Sequence, residues 1–176
     1  MKSETDNDDI DTLPGEAEAK GEQYLTFQLA GEEYGVEILR VQEIRGWERV
    51  TRIPNSPGYV QGVVNLRGSI VPIYDLRQRF NMTVATYSKD TVVIVLMIRR
   101  SSSNSTRSIG VVVDGVSDVI NATSTEISST PEFGGRISTE WIAGLATARG
   151  KMIMLLDVDR MFDDREGIIE EEEFAA

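Results

Sequence analysis

Gly62-Val-Val-Asn-Leu-Arg-Gly-Ser-Ile-Val-Pro-Ile-Tyr-Asp-Leu-Arg-Gln-Arg-Phe80 and Gly144-Leu-Ala-Thr-Ala-Arg-Gly-Lys-Met-Ile-Met-Leu-Leu-Asp-Val-Asp-Arg-Met-Phe162 are one pattern written twice. The two stretches align without a gap at a shift of 82 residues. Identities fall at Gly62/Gly144, Arg67/Arg149, Gly68/Gly150, Asp75/Asp157 and Phe80/Phe162, and apolar positions such as Val63/Leu145, Ile70/Met152 and Ile73/Leu155 match in kind. A second alignment, at a shift of 75, pairs Gly35/Gly110, Val36/Val111, Ile38/Val113, Val41/Val116, Glu43/Asp118 and Ile44/Val119. Both pieces recur in the same order, which identifies an internal duplication.

Each copy reads as short strands closed by a helix of one or two turns. Leu25, Phe27 and Leu29 alternate with Tyr24, Thr26 and Gln28, the period of a half-buried strand. Ala30-Gly31-Glu32-Glu33 turns the chain back into Tyr34–Ile38, and Val41–Trp47 reads as a third strand. Tyr59–Leu66 and Ile70–Tyr74 form a hairpin across Arg67-Gly68-Ser69, with φ > 0 expected at the glycine. Asp75 then caps a helix ending near Phe80. The second copy supplies Val92–Ile98, a polar Ser101–Ser105 loop, Ile109–Val113, Val116–Ile120, a loop through Pro131–Gly135, Trp141–Ala148, Met152–Leu156 and a helix opened by Asp157. Five strands and a short helix per unit are the inventory of a small barrel. Units of about 60–70 residues bury too little to stand alone, so the two must share an apolar interface. The expected fold is therefore mainly β: two pseudo-equivalent five-stranded barrels, at about 23–85 and 88–162, with exchange of terminal strands allowed and a groove between them.

The charge is confined to the ends. Of the net −11, residues 1–22 hold −6 and residues 163–176 another −6, leaving the body at +1. Residues 1–22 read as a disordered acidic tail and 163–176 as an acidic C-terminal tail. An acidic chain repels nucleic acid and anionic lipid, so neither is an expected partner. The chain has no cysteine and no histidine, which removes thiol nucleophiles, disulfides, conventional zinc sites and the usual general base. It carries no phosphate-binding loop, nucleophile elbow or calcium loop. No catalytic residue, metal or cofactor is expected. The longest aliphatic or Met run, Val92–Ile98, is far short of a membrane span, and the amino terminus lacks a signal pattern, so a cytoplasmic protein is expected.

The remaining candidates are interaction residues. Glu43 stands between apolar neighbours in Val41-Gln42-Glu43-Ile44, where a partly buried carboxylate needs a partner. A bidentate Arg67 is the best available one, the alternative being two unrelated surface charges. Asp75 and Asp157 are read as helix caps, Asp114 and Asp118 as turn residues, Arg149 as a solvated turn residue, and Trp47 and Trp141 as core. Phe133, in a Pro-Glu-Phe-Gly-Gly loop, is a candidate exposed anchor.

Glu33-Tyr34-Gly35-Val36-Glu37-Ile38-Leu39-Arg40-Val41-Gln42-Glu43-Ile44-Arg45-Gly46, Arg52-Ile53-Pro54-Asn55-Ser56-Pro57 and the Asn65-Leu66-Arg67-Gly68 stretch resemble the CheW family of bacterial chemotaxis coupling proteins. Gly110–Val119, Pro131-Glu132-Phe133 and Ser138–Leu145 extend the resemblance over the whole body. It implies two SH3-like barrels and a non-enzymatic scaffold that couples the cytoplasmic tips of methyl-accepting chemoreceptors to the regulatory domain of the histidine kinase CheA. A stand-alone coupler, recruited from the cytoplasm to membrane-associated receptor arrays, is expected. A coupling protein of a non-flagellar pathway, pilus or developmental, is the alternative. Carried over by position, the resemblance implies receptor contacts at Ile38, Val41, Glu43, Ile44 and Arg67. It implies kinase contacts at Val50, Gln61, Gly62 and Ile70, and at Glu132 and Phe133 in the second barrel. The acidic tails and the Ser101–Ser105 insertion lie outside the shared pattern.

Overall fold

The structure is a computed structural model, and residues 21–82, 86–123, 126–130 and 138–163 are described. Eleven strands are formed among these residues: β1 (Glu22–Leu29), β2 (Glu32–Glu37), β3 (Val41–Gly46), β4 (Val60–Leu66), β5 (Ser69–Asp75), β6 (Val92–Arg99), β7 (Thr106–Val113), β8 (Gly115–Ala122), β9 (Ile127–Ser128), β10 (Ile142–Ala148) and β11 (Lys151–Leu156). Short helices α1 (Leu76–Arg79) and α2 (Val158–Met161) follow β5 and β11, and 3₁₀ turns occupy Ile38–Arg40 and Thr139–Trp141. The strands form a five-stranded sheet, β3-β6-β7-β5-β4, and a six-stranded sheet, β8-β1-β2-β11-β10-β9. These are the two SH3-like barrels.

The sheets cut across the halves 23–85 and 88–162. The β1–β2 hairpin joins β8 and β11 of the second sheet, while β6 and β7 join β3 and β5 of the first. The chain therefore crosses between sheets twice, at Ile38–Arg40 and at Asp114, and each barrel borrows a hairpin from the other copy of the repeat. The duplication survives in three dimensions with its register intact. Ile73 pairs in parallel with Gly110, and the equivalent Leu155 pairs in parallel with Gly35. Thr51 bridges Val63, and Ser128 of β9 pairs with the equivalent Leu145.

Three apolar clusters divide the interior. The largest has twenty buried residues among those described and draws on both sheets: Leu25, Phe27, Leu29, Tyr34 and Val36 from one, Ile94, Leu96, Ile98, Ile109, Val111 and Val113 from the other. Each barrel's own core has only five, Val71, Ile73, Val93, Val95 and Val112 in the first, and Tyr24, Ala122, Ala146, Ile153 and Leu155 in the second. At roughly 1.5–3 kcal/mol per large side chain buried, most hydrophobic stabilisation lies between the barrels. Phe80 and Phe162, equivalent in the repeat, serve this interface reciprocally. Phe80 ends the first barrel's α1 and packs 5.9 Å from Tyr34 of the second sheet, while Phe162 ends α2 and packs 4.9 Å from Tyr74 of the first. The same geometry revises the reading of β1 as half-buried. Tyr24 and Thr26 are buried as well as Leu25, Phe27 and Leu29, because one face of β1 fills its own barrel and the other fills the interface.

Turn chemistry follows the sequence with one extension. The β4–β5 and β10–β11 turns place both residues in the left-handed region, Arg67 at φ 52 with Gly68 at 88, and Arg149 at 52 with Gly150 at 74. Paired positive φ values of this kind match the right-handed twist of the flanking strands. Both helix caps form: Asp75 accepts from the Arg77 amide at 3.0 Å and Asp157 from the Arg160 amide at 3.1 Å. Gly62 sits at a bulge with φ 152, and a Cβ there would collide with the Thr51 carbonyl that closes the barrel.

Two expectations follow. Gly62→Ala lowers stability by about 3 kcal/mol in urea unfolding, from φ strain together with displacement of the Thr51 bridge. Burial, with a smaller contribution from Glu32, pushes the Tyr34 hydroxyl up from 10.0 to about 12. The unfolded chain ionises this tyrosine first, so its contribution to stability is intact below pH 10 and lost as pH rises toward 12. Tyr34→Phe makes the alkaline limb of the unfolding profile shallower, read by circular dichroism against the native chain.

Candidate functional site

The segment from Ile38 to Gly46 begins with a sheet crossover and continues as β3, an edge strand hydrogen-bonded only to β6. A bulge between Val41 and Glu43 sets its faces: Val41 lies opposite Leu96 and Ile44 opposite Ile94, whereas Glu43 lies opposite Val95. Leu96 and Ile94 belong to the core between the barrels, Val95 to the first barrel's own core. Ile38 and Val41 accordingly pack on the rim of the inter-barrel core. Ile44 is 45% exposed on that side, and Leu39 is 92% exposed at the crossover. An edge strand thus presents a row of partly and fully exposed aliphatic side chains beside the seam between barrels.

Glu43 flanks this row. Its Oε2 lies 3.4 Å from Nη2 of Arg67 and its Oε1 lies 3.5 Å from Nε of Arg45. The anticipated Glu43–Arg67 pair is therefore present, although each contact is a single one rather than a bidentate fork. Arg67 projects from the tip of the β4–β5 turn with its side chain 90% exposed, where the backbone aims it into solvent. The repeat carries the same pair again: Arg149 Nη1 lies 2.5 Å from Asp118 Oδ2. This corrects the reading of Arg149 as merely solvated and of Asp118 as a turn residue. Asp118 is on β8, with Arg149 on the neighbouring tip.

Of the four first-barrel kinase candidates, Val50 and Ile70 line one depression of about 480 Å³, floored by Val64, Ile73, Val93 and Val95. Ile70 is 44% exposed at its mouth. Gln61 faces a different, smaller depression beside Arg52 and Pro57, and its Oε1 lies 2.9 Å from the Tyr87 hydroxyl. Gly62 is buried at the bulge and contributes shape alone. Glu132 and Phe133 lie outside the described residues. Leu39 has no counterpart among the sequence candidates. Its signal was the adjacent pair Ile38-Leu39, which no strand period could bury on one side.

Behind these surfaces lies a charge network with a sealed centre. Arg77 Nε and Nη2 reach Asp75 Oδ1 and Oδ2 at 3.0 and 2.9 Å, and Nη1 reaches Asp114 Oδ1 at 3.0 Å. The Arg77 and Asp75 side chains are 1% and 0% exposed. Asp114, expected as a turn residue, also accepts from the Ala30 amide at 2.8 Å, so the network ties the second crossover to the β1–β2 hairpin. The hydrogen bonds it donates to Asp75 hold the Arg77 guanidinium above its ordinary value against the opposing effect of burial. Tyr87 stacks on Trp47 at 4.3 Å and reaches Asp75 Oδ2 at 2.8 Å. Burial, and then that hydrogen bond, push its hydroxyl upward and keep it protonated. Trp141 is buried in the inter-barrel core, while Trp47 is partly exposed and packs on the first barrel's core. Among the described residues, no group of three or more acidic, His or Cys side chains could hold a metal ion, and no helix is long and apolar enough to cross a membrane.

The two kinds of ion pair separate in a denaturant titration. Glu43→Gln changes unfolding free energy by less than about 1 kcal/mol, as for exposed pairs generally. Arg77→Met lowers it by about 3–5 kcal/mol, because Asp75 is left charged and buried without its partner.

Residues 23–166 match the family model of the CheW-like domain. The chain is 45% identical over 149 residues to the chemotaxis protein CheW of Klebsiella aerogenes, covering 85% of this chain and 86% of that one. It is 30% identical over 143 residues to the chemotaxis protein CheW of Bacillus subtilis, covering 81% and 88%. The crystal structure of the scaffolding protein TtCheW from Thermoanaerobacter tengcongensis superposes with a TM-score of 0.71 at 31% identity, covering 81% of this chain and 88% of that one. With two SH3-like barrels, the repeated hairpin tips and this extent of similarity in view, the chain belongs to the CheW-like family.

Proposed function

We propose that this chain is a chemotaxis scaffold that couples the cytoplasmic tips of chemoreceptors to the histidine kinase CheA, without chemistry of its own. The observation that carries the reading is the aliphatic row of Ile38 and Leu39 at the crossover and Val41 and Ile44 on the edge strand β3, flanked by the Glu43–Arg67 pair. A receptor tip is a helical bundle, and a row of exposed aliphatics at the seam of a rigid body takes one helix face by ridge-and-groove contact. Glu43 and Arg67 set the polar rim, where a helix's own charges fix register more than affinity. The names of the relatives, chemotaxis and scaffolding proteins, support the same direction.

The kinase side of the coupler is the depression holding Val50 and Ile70, on the same barrel as the receptor row. Its opening is rimmed by Arg45, Glu48 and Arg49, so an apolar side chain from the kinase can enter while charges surround it. Glu132 and Phe133 supply the second-barrel contact, by their place in the family pattern. Interfaces this small have affinities on the order of micromolar, and array avidity makes them sufficient. The signal passes as a change in the pose of receptor against kinase, both held by one double barrel. The protein works from the cytoplasm, recruited to receptor arrays.

Reconstituted CheA autophosphorylation with receptor fragments tests the coupling. The native chain activates the kinase in a receptor-dependent way. Arg67→Ala weakens receptor binding about tenfold with folding and kinase binding retained, and Ile70→Asp does the reverse. Native-level receptor binding by a folded Arg67→Ala protein overturns the receptor-face assignment, and no activation by the native chain overturns the coupling.

A further inference from the structure

The two crossovers between sheets are each fastened by an ion pair, and the two pairs have opposite polarity. At the second crossover Asp114 meets Arg77, which stands two residues after the cap Asp75. At the first crossover Arg40 meets Asp159, which stands two residues after the equivalent cap Asp157. Arg40 Nη1 and Nη2 reach Asp159 Oδ1 and Oδ2 at 3.1 and 2.6 Å, a bidentate fork. Arg40 also donates to the Met97 carbonyl at 3.3 Å, and Asp159 accepts from the Arg99 amide at 2.8 Å. The backbone donor is equivalent as well: Arg99 closes β6 as Ala30 follows β1 in the other fastening.

Solvent distinguishes the two arginines: Arg77 is 1% exposed and held by the fully buried Asp75 as well as by Asp114, itself 25% exposed, whereas Arg40 and Asp159 are 19% and 29% exposed. A buried pair is costly to break and an accessible one is not. The accessible pair also adjoins the candidate receptor face. Arg40 is the last residue of the turn that presents Ile38 and Leu39 and leads into Val41.

We propose that Arg40–Asp159 is a positioning latch for the receptor face: Asp159, on the second barrel's α2, fixes the Ile38–Val41 turn of the first without touching the bound helix. This rests on the receptor-face reading above and extends it. The receptor row is then a property of both barrels together. Its preorganisation lowers the ordering cost of binding, and a helix seated on Ile38, Val41 and Ile44 is sensed by α2 across the seam.

The test is titration of a receptor-tip fragment into the full chain by calorimetry, with unfolding curves for every variant. Asp159→Asn and Arg40→Gln each weaken binding about fivefold, the double variant is no weaker than either single one, and Asp159→Glu restores it. A second readout is amide hydrogen exchange at Ile38–Val41, which speeds up in Asp159→Asn and slows again when receptor fragment is added. Weak binding by Arg40→Gln with native binding by Asp159→Asn makes Arg40 a direct contact and overturns the latch. Native binding by both, while Ile44→Asp abolishes it, overturns the latch and leaves the receptor face standing. Native binding by Ile44→Asp and Arg67→Ala as well overturns both.

Discussion

The structure depends on an area constraint. A barrel of five or six strands of this size encloses only a handful of buried apolar side chains, and that is too little to outweigh the ordering of its backbone. The solution is to place the main core outside both barrels, between them. Other features answer to that choice: β1 buries side chains on both faces and β6 is apolar on both, the capping helices deliver Phe80 and Phe162 against the opposite barrel, and Arg77 is sealed where the chain changes sheets. The pose of one barrel on the other is therefore as well determined as the interior of an ordinary domain. A scaffold that transmits the pose of one partner to another requires that stiffness.

The fold was largely legible because the repeat exposed it. The strands, both helix caps and the shared interface follow from two ungapped alignments and the alternation within them. The Glu43–Arg67 contact was legible for a related reason: a carboxylate between aliphatics needs a partner, and the equivalent positions Asp118 and Arg149 are paired as well. The strand exchange is not legible locally, because β1 meets β8 and β2 meets β11 over separations that periodicity within a strand does not report. The Arg40–Asp159 fork was hidden by the alignment itself. Arg77 and Asp159 are equivalent in place and opposite in charge, so matching by residue type discards the pair that matching by position would find.

The candidate faces divide labour between rigid and exposed parts. β3 has one edge unpaired, yet its glutamate and arginine discourage unselective strand addition while its aliphatics remain available. The Val50–Ile70 depression is the open mouth of the first barrel's own small core. This opening in the first barrel and the proposed kinase surface are thus the same place. Incomplete packing that would be a defect in an isolated domain becomes a receptacle in a protein whose stability resides elsewhere.

The borrowed hairpins also govern how the chain is made. A ribosome delivers β1 and β2 first, but their neighbours β8 and β11 emerge only from Gly115 onward. The first sheet, closed by β7 at Val113, is complete while the amino-terminal hairpin still waits. At about 5–20 residues per second the wait lasts several seconds, with Leu25, Phe27 and Tyr34 lacking their final cover. The order of delivery is thus inside out: the middle of the chain has all its strand partners first, and the strands at either end find theirs last.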